Sequence, residues 1–123
     1  MNPHAKLAEP EFSQVLLNIL ISAKDAFVSR GTAEPLLTIG LQREEGKAVL
    51  TITDNAGGIP DEIIEKIFEP YFTTKGPEQG TGVGLFMCKT IIEKNMNGTL
   101  SARNVADGAQ FRVEMPEWKE GEP

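Results

Sequence analysis

Three groups of residues have the types and the spacing to do chemistry. The first is Asp54-Asn55-Ala56-Gly57-Gly58-Ile59-Pro60. A carboxylate at the end of an apolar run can accept a hydrogen bond from an exocyclic amine. Paired glycines beside it let a flat ring lie against backbone. Taken alone, the same residues also suit a hairpin turn. The second group is Gly80-Thr81-Gly82-Val83-Gly84-Leu85, which opens an apolar helical stretch. Free amides at a helix start take anions, most often phosphate. No Gly-Lys-Ser/Thr follows, so this is not a P-loop, and the third glycine comes one residue early for a dinucleotide fingerprint. A flexible hinge ahead of a helix would read the same way. Thr73, Thr74 and Lys75, a few residues upstream, add hydroxyls and a cation that suit phosphate oxygens and would equally suit a solvated loop. The third group is Asn18 and Ser22, one helical turn apart and on one side. Oxygen donors so placed suit Mg²⁺, which takes few protein ligands beside phosphates and water. A polar stripe along a partly exposed helix edge is the plainer reading. A strand-end carboxylate combined with a glycine-rich helix start suggests a nucleotide, with the base at one end and the phosphates at the other.

The elements that must position these groups follow from periodicity. Phe12, Val15, Leu16, Ile19, Leu20, Ala23 and Phe27 recur at helical spacing and predict a long helix from Pro10 to about Arg30, ended by Gly31. Gln14, Asn18, Ser22 and Asp25 form a polar stripe on another side. Leu17 and Ile21 make a third side apolar, which predicts that most of this helix is buried. Strands are expected at about 36–43 and 48–53, joined by the turn signal Glu44-Glu45-Gly46. Pro60-Asp61-Glu62 starts a short helix through Ile67. Residues 70–80 lack periodicity and read as a mobile loop. A second long helix runs from Leu85 to about Met96. Two more strands follow at about 99–103 and 110–114, with Asp107-Gly108 between them. Residues 1–9 and 118–123 are expected to be flexible ends around one ordered unit, 10–117. The expected fold class is α+β: a two-layer α/β sandwich with a mixed, mostly antiparallel sheet and about three helices on one face.

Composition bounds the partners. A chain of 123 residues is one domain with a single modest core. A net charge of −6 argues against a nucleic-acid surface, which is normally basic. No apolar run approaches the ~20 residues that span a bilayer, so no membrane contact is expected. The single cysteine, Cys88, sits in an apolar helix and reads as a small core residue in a reducing compartment. The single histidine, His4, lacks the partners of a metal or catalytic site.

The order of the groups resembles the catalytic ATP-binding domain of sensor histidine kinases, within the superfamily shared with DNA gyrase, the large heat-shock chaperone and mismatch-repair ATPases. The resemblance runs from about Glu11 to Pro116. Gln14 to Leu20 with Asp25-Ala26 is similar to the asparagine-box helix. Asp54 to Pro60 is similar to the first glycine box. Ile67-Phe68-Glu69-Pro70-Tyr71-Phe72-Thr73-Thr74-Lys75 is similar to the phenylalanine box and the start of the nucleotide lid. Gly80 to Leu85 is similar to the second glycine box. Met96-Asn97-Gly98-Thr99-Leu100 and Phe111 to Pro116 resemble the closing strands.

The resemblance implies ATP and Mg²⁺ as cofactors, with Asp54, Gly58 and Ile59 at the adenine. It puts Thr74, Lys75, Thr81, Gly82, Val83, Gly84 and Leu85 at the rest of the nucleotide. Asn18 and Lys75 take the catalytic roles, and Asn18 with Ser22 the metal. Ser22 stands where the family usually has a second asparagine, and its hydroxyl is a shorter, weaker ligand. Gln110 stands where a threonine often precedes the phenylalanine of the last strand, and Ala56 replaces a frequent glycine. Asn18 occupies the place where the superfamily's ATPases carry a water-activating glutamate, which favours phosphoryl transfer to an acceptor over hydrolysis. The implied partners are the histidine-bearing dimerisation domain of the same kinase and, downstream, a response-regulator receiver domain; the implied location is cytoplasmic. Two other readings stay open on the sequence: a serine-phosphorylating anti-sigma kinase of the same superfamily, and a degenerate module that binds partners rather than nucleotide.

Overall fold

The computed structural model describes residues 3–70 and 84–116, with side chains from Glu11 onward. The expected loop, from Tyr71 on, lies outside the described residues. So do Thr74, Lys75, Thr81, Gly82, Val83 and the segment after Pro116. Helix α1 spans Pro3–Arg30. It starts ahead of the expected Pro10 because Pro3 serves as a first-turn residue, where the missing N–H costs no helical bond. It ends as the sequence requires. Gly31 turns left-handed at φ 63°. Its N–H reaches Val28 O at 3.2 Å, and Thr32 N–H reaches Phe27 O at 3.1 Å, so the orphan carbonyls of the last turn are satisfied.

Strands β1 (Leu37–Glu44) and β2 (Lys47–Asp54) form a two-residue hairpin. Glu45 and Gly46 both take positive φ, the backbone that matches strand twist. Helix α2 (Asp61–Ile64) follows, shorter than the expected run to Ile67. Helix α3 spans Gly84–Thr90 and passes into a π-helical turn, Ile91–Asn95, where one regular helix to Met96 was expected. Met96 N–H bonds Ile91 O at 3.1 Å and Gly98 N–H bonds Ile92 O at 2.9 Å. Asn97 sits left-handed at φ 56°, a conformation asparagine tolerates. The chain then enters β3 (Thr99–Val105) and β4 (Gly108–Pro116).

The described sheet has the order β1-β2-β4-β3. Every pairing in it is antiparallel, so the mixed character expected for the sheet is absent among the described residues. Leu50 and Ile52 of β2, Phe111 and Val113 of β4 and Leu100 of β3 meet Val15 and Ile19 of α1 and Cys88, Ile91 and Ile92 of the second helical segment in one core. Phe68 packs edge-on against Phe111, with ring centroids 6.2 Å apart, and Lys89 Nζ lies 5.2 Å from the Phe68 ring centre. On the opposite face of the sheet, Arg112 bonds Glu44 and Glu114 at 2.8 Å each. This holds the Glu114 carboxyl below its ordinary range.

One expectation about α1 fails. Leu17 and Ile21 are 51% and 42% exposed. The core takes the side that carries Val15, Ile19 and Ala23, and α3 lies against the flank that carries Asn18. No described element covers the side opposite the core.

Candidate functional site

Strand β2 carries the most unusual side chain of the protein. Asp54 is 8% exposed and is the one buried charged residue among those described. Burial of a carboxylate is costly unless donors meet it. Oδ1 accepts from Ala56 N–H at 3.0 Å and from Ala109 N–H at 3.2 Å. Oδ2 has no partner among the described residues. The two backbone donors fix the carboxylate's direction.

The strands around Asp54 are built to let it sit there. A Cβ on Gly108 would stand 1.9 Å from Asp54 O and 2.7 Å from Asp54 Oδ1, so only glycine fits. Beyond Asp54, Asn55 ties the corner to the chain after α1. Its Oδ1 accepts from Leu36 N–H at 2.8 Å and its Nδ2 donates to Glu34 O at 3.0 Å. Gly57 and Gly58 follow with φ 96° and 87°, a backbone that side chains disfavour. Neither has room for a side chain: a Cβ on Gly57 would stand 2.7 Å from Arg30 Nη1, and one on Gly58 would stand 2.9 Å from Asn104 Oδ1. Ile59 closes the corner, half-buried against the core.

The second group of site residues lies on α1 and α3. Asn18 and Ser22 are both half-buried on the polar side of α1. Gln14 Nε2 donates to Asn18 Oδ1 at 3.3 Å. Gly84 opens α3 directly beside Asn18: a Cβ on it would stand 4.0 Å from Asn18 Cγ. Leu85 packs on the edge of the core. The fold therefore brings the asparagine to the helix start that carries the last glycine of the second cluster. Cys88, one turn further, is fully buried, and its thiol leans on Val15 O at 3.7 Å. Burial pushes this thiol above its ordinary pKa, while a hydrogen bond with the Asn18 side chain pulls the other way. It behaves as the core residue its surroundings suggest. Among the described residues no group of three or more His, Cys, Asp or Glu could hold a metal. An ion at this site would depend on amide and hydroxyl oxygens.

A family-wide comparison matches residues 8–119 to the histidine kinase-, DNA gyrase B- and HSP90-like ATPases. The chain belongs to this family. Among curated relatives of this ATPase domain, it is 39% identical over 109 residues to the two-component sensor PprA of Pseudomonas aeruginosa, covering 86% of this chain and 12% of that protein. It is 35% identical over 114 residues to the sensor histidine kinase ZraS of Salmonella typhimurium, covering 89% and 23%. The chain thus spans a small part of these relatives' length. Among solved structures, the catalytic domain of histidine kinase ThkA superposes with a TM-score of 0.72 at 33% identity, covering 86% of this chain and 66% of that one. The full-length kinase ShkA, solved in complex with AMPPNP, superposes at 0.65 with 25% identity, covering 84% and 20%.

Within this ATPase domain, Asp54, Gly58 and Ile59 share one corner, and Asn18, Ser22, Gly84 and Leu85 share the α1–α3 face. Gln110 is fully engaged: its Nε2 donates to Thr53 Oγ1 at 3.0 Å and its Oε1 accepts from Arg103 at 3.0 Å. It therefore acts as a cross-strand link. Reading the sequence missed Arg30 and Asn104, which both bind the glycine corner. Arg30 carries a weak signal, as a cation in the last turn of a helix. Asn104 carries none, because a polar residue near a strand end is ordinary.

Proposed function

We propose that this chain is the ATP-binding catalytic domain of a sensor histidine kinase. It would donate the γ-phosphoryl group of ATP to a histidine on a separate dimerisation domain, giving ADP and phosphohistidine. The observation that carries the nucleotide reading is Asp54: a buried carboxylate with one oxygen fixed by two amides and the other left for a donor. The exocyclic amine of adenine is such a donor, and the Gly57-Gly58 backbone lies next in sequence to form a wall for the base. The two-component sensor PprA, the histidine kinases ZraS and ThkA, and the AMPPNP complex of ShkA support the reading.

The residues fit the nucleotide. Asp54 would read the amine, Gly58 and Ile59 would line the base, and Gly84 and Leu85 would begin the helix that faces the phosphates. Thr74, Lys75, Thr81, Gly82 and Val83 would complete the phosphate contacts, with Lys75 neutralising charge on the transferred group. Mg²⁺ would take the Asn18 amide oxygen and, more weakly, the Ser22 hydroxyl. Phosphate oxygens and water would supply the remaining ligands. Asn18 is no general base at neutral pH, so the domain would hold ATP until an acceptor arrives. The partners would be the histidine-bearing domain and then a response-regulator receiver domain, in the cytoplasm. No described helix is long and apolar enough to cross a membrane.

Calorimetric titration with ATP, in the presence and absence of Mg²⁺, tests the reading. Binding that strengthens with Mg²⁺ is expected. A folded domain that takes up no adenine nucleotide under either condition would overturn the proposal.

A further inference from the structure

The corner between β2 and α2 ought to be loose. Two consecutive glycines lose more backbone freedom on folding than any other pair. Yet each residue of the corner has a partner from a distant part of the chain. Gly57 N–H donates to Asp107 O at 2.9 Å. Arg30, the last residue of α1, donates from Nη2 to Gly58 O at 3.0 Å. Asn104 of β3 accepts from Ile59 N–H through Oδ1 and donates through Nδ2 to Ile59 O, both at 2.7 Å. An amide side chain that meets the N–H and the C=O of one residue does what a neighbouring strand would do. Nδ2 also lies 3.4 Å from Asp61 Oδ1. A Cβ on Gly58 would come within 2.9 Å of Asn104 Oδ1, and one on Gly57 within 2.7 Å of Arg30 Nη1. Both side chains therefore lie directly against the glycines. Both residues are exposed and neither belongs to the core, so apolar burial does not explain their placement.

We propose that Asn104 and Arg30 are positioning residues for base recognition: they fix the Gly57–Ile59 backbone at the tilt from Asp54 that a bound purine needs. This rests on the nucleotide reading above. Asp54 supplies the charge and is held independently, by Ala56 and Ala109. The corner supplies the wall, held by Arg30, Asn104 and Asp107. Loosening the wall harms the base while leaving Asn18, Ser22 and Gly84 untouched. The effect falls on adenine affinity and on the preference for adenine over guanine.

Titration of the folded domain with ADP and with GDP, alongside thermal melting, tests this. Asn104→Ala should weaken ADP about five- to tenfold, the scale of one or two net hydrogen bonds. GDP binding should change little, so the ADP/GDP ratio falls. Asn104→Asp should do the same, because it sets a second acceptor against Ile59 O and Asp61. Arg30→Ala should weaken ADP, and Arg30→Lys, which can still donate to Gly58 O, should keep most of the affinity. The double alanine variant should lose less than the product of the two single losses, since both act on one corner. A lowered melting temperature with unchanged ADP affinity and ratio would make both residues merely structural and overturn the proposal. If Asn104→Ala does not fold, the Arg30→Ala and Arg30→Lys pair decides by the same criterion. A wild-type domain that binds no ADP overturns the nucleotide reading as well. Wild-type binding with unaltered variants overturns this inference alone.

Discussion

The two ends of the site are built differently. At the Asp54 corner, where we propose that the base binds, polar groups are already engaged within the chain. Asp54 Oδ1 has two backbone donors, Asn55 spans two peptides, and Gly57, Gly58 and Ile59 are each bonded from elsewhere. Among the described residues, Asp54 Oδ2 is left without a partner. At the α1–α3 end the Asn18 amide oxygen accepts a long contact from Gln14, at 3.3 Å. Ser22 has no hydrogen bond among the described residues, and Gly84 adds no side chain. A flat base of fixed shape rewards a rigid wall, because ordering costs are met during folding and not on binding. On the proposed reading, phosphates and Mg²⁺ would bring charge and their own coordination demands to the other end, so side chains there could adjust as they bind. The comparison makes three predictions, from the variant that destroys the rigid end to one that improves the adjustable end.

Gly108→Ala should have the largest effect. Its Cβ would overlap a backbone oxygen at 1.9 Å and the carboxylate of Asp54 at 2.7 Å. Neither can yield, since Asp54 ends a paired strand and Gly108 begins another. Overpacking typically costs about 1–3 kcal/mol, and an overlap this close to backbone belongs at the upper end. Thermal melting should show strong destabilisation, and any folded fraction should lose ATP binding along with it. A stable variant with normal affinity would show that the corner adjusts after all.

Asp54→Asn isolates the one free oxygen from the rest of the corner. The amide oxygen can still accept from Ala56 and Ala109, so melting should change little. The other position would carry NH₂ and face the amine of the base. Loss of a charge-assisted hydrogen bond should weaken ATP by about 1.5–3 kcal/mol, read by calorimetry on the folded variant. Wild-type affinity in that variant would mean that adenine is read elsewhere.

The sequence made the two ends legible to different degrees. Alternation in Val49-Leu50-Thr51-Ile52-Thr53 places Asp54 at a strand end, and β2 does end at Asp54. Helical spacing puts Asn18 and Ser22 on one side of α1, where they lie. Three things were hidden. Apolar periodicity reports a face without saying what covers it, so Leu17 and Ile21 were expected to be buried and are exposed. Long-range hydrogen bonds leave no periodic trace: Asn104 lies 45 residues from Ile59, and Arg30 lies 28 from Gly58. The π turn at Ile91–Asn95 was invisible for a related reason. One extra residue in a turn shifts the register and leaves the composition unchanged.

Ser22→Asn should have the smallest effect and the opposite sign. Ser22 sits one turn from Asn18 on the side of α1 that borders Gly84. The site is half-buried, and among the described residues no hydrogen bond holds the hydroxyl in place. An asparagine there would extend an amide oxygen about one bond further toward the ion. An amide oxygen is a better ligand than an alcohol, and the reach matches that of Asn18. Mg²⁺-dependent ATP affinity should rise about tenfold, or about 1.4 kcal/mol. Affinity without Mg²⁺ should stay the same, because Asp54 and the glycine corner are untouched. Comparing the two titrations therefore reads the metal term alone. The Asp54→Asn loss should appear equally with and without Mg²⁺, so the two variants separate the ends of the site on one axis. A Ser22→Asn gain that persists in chelator would mean the new amide touches the nucleotide directly, and the adjustable end would then be a phosphate site more than a metal site.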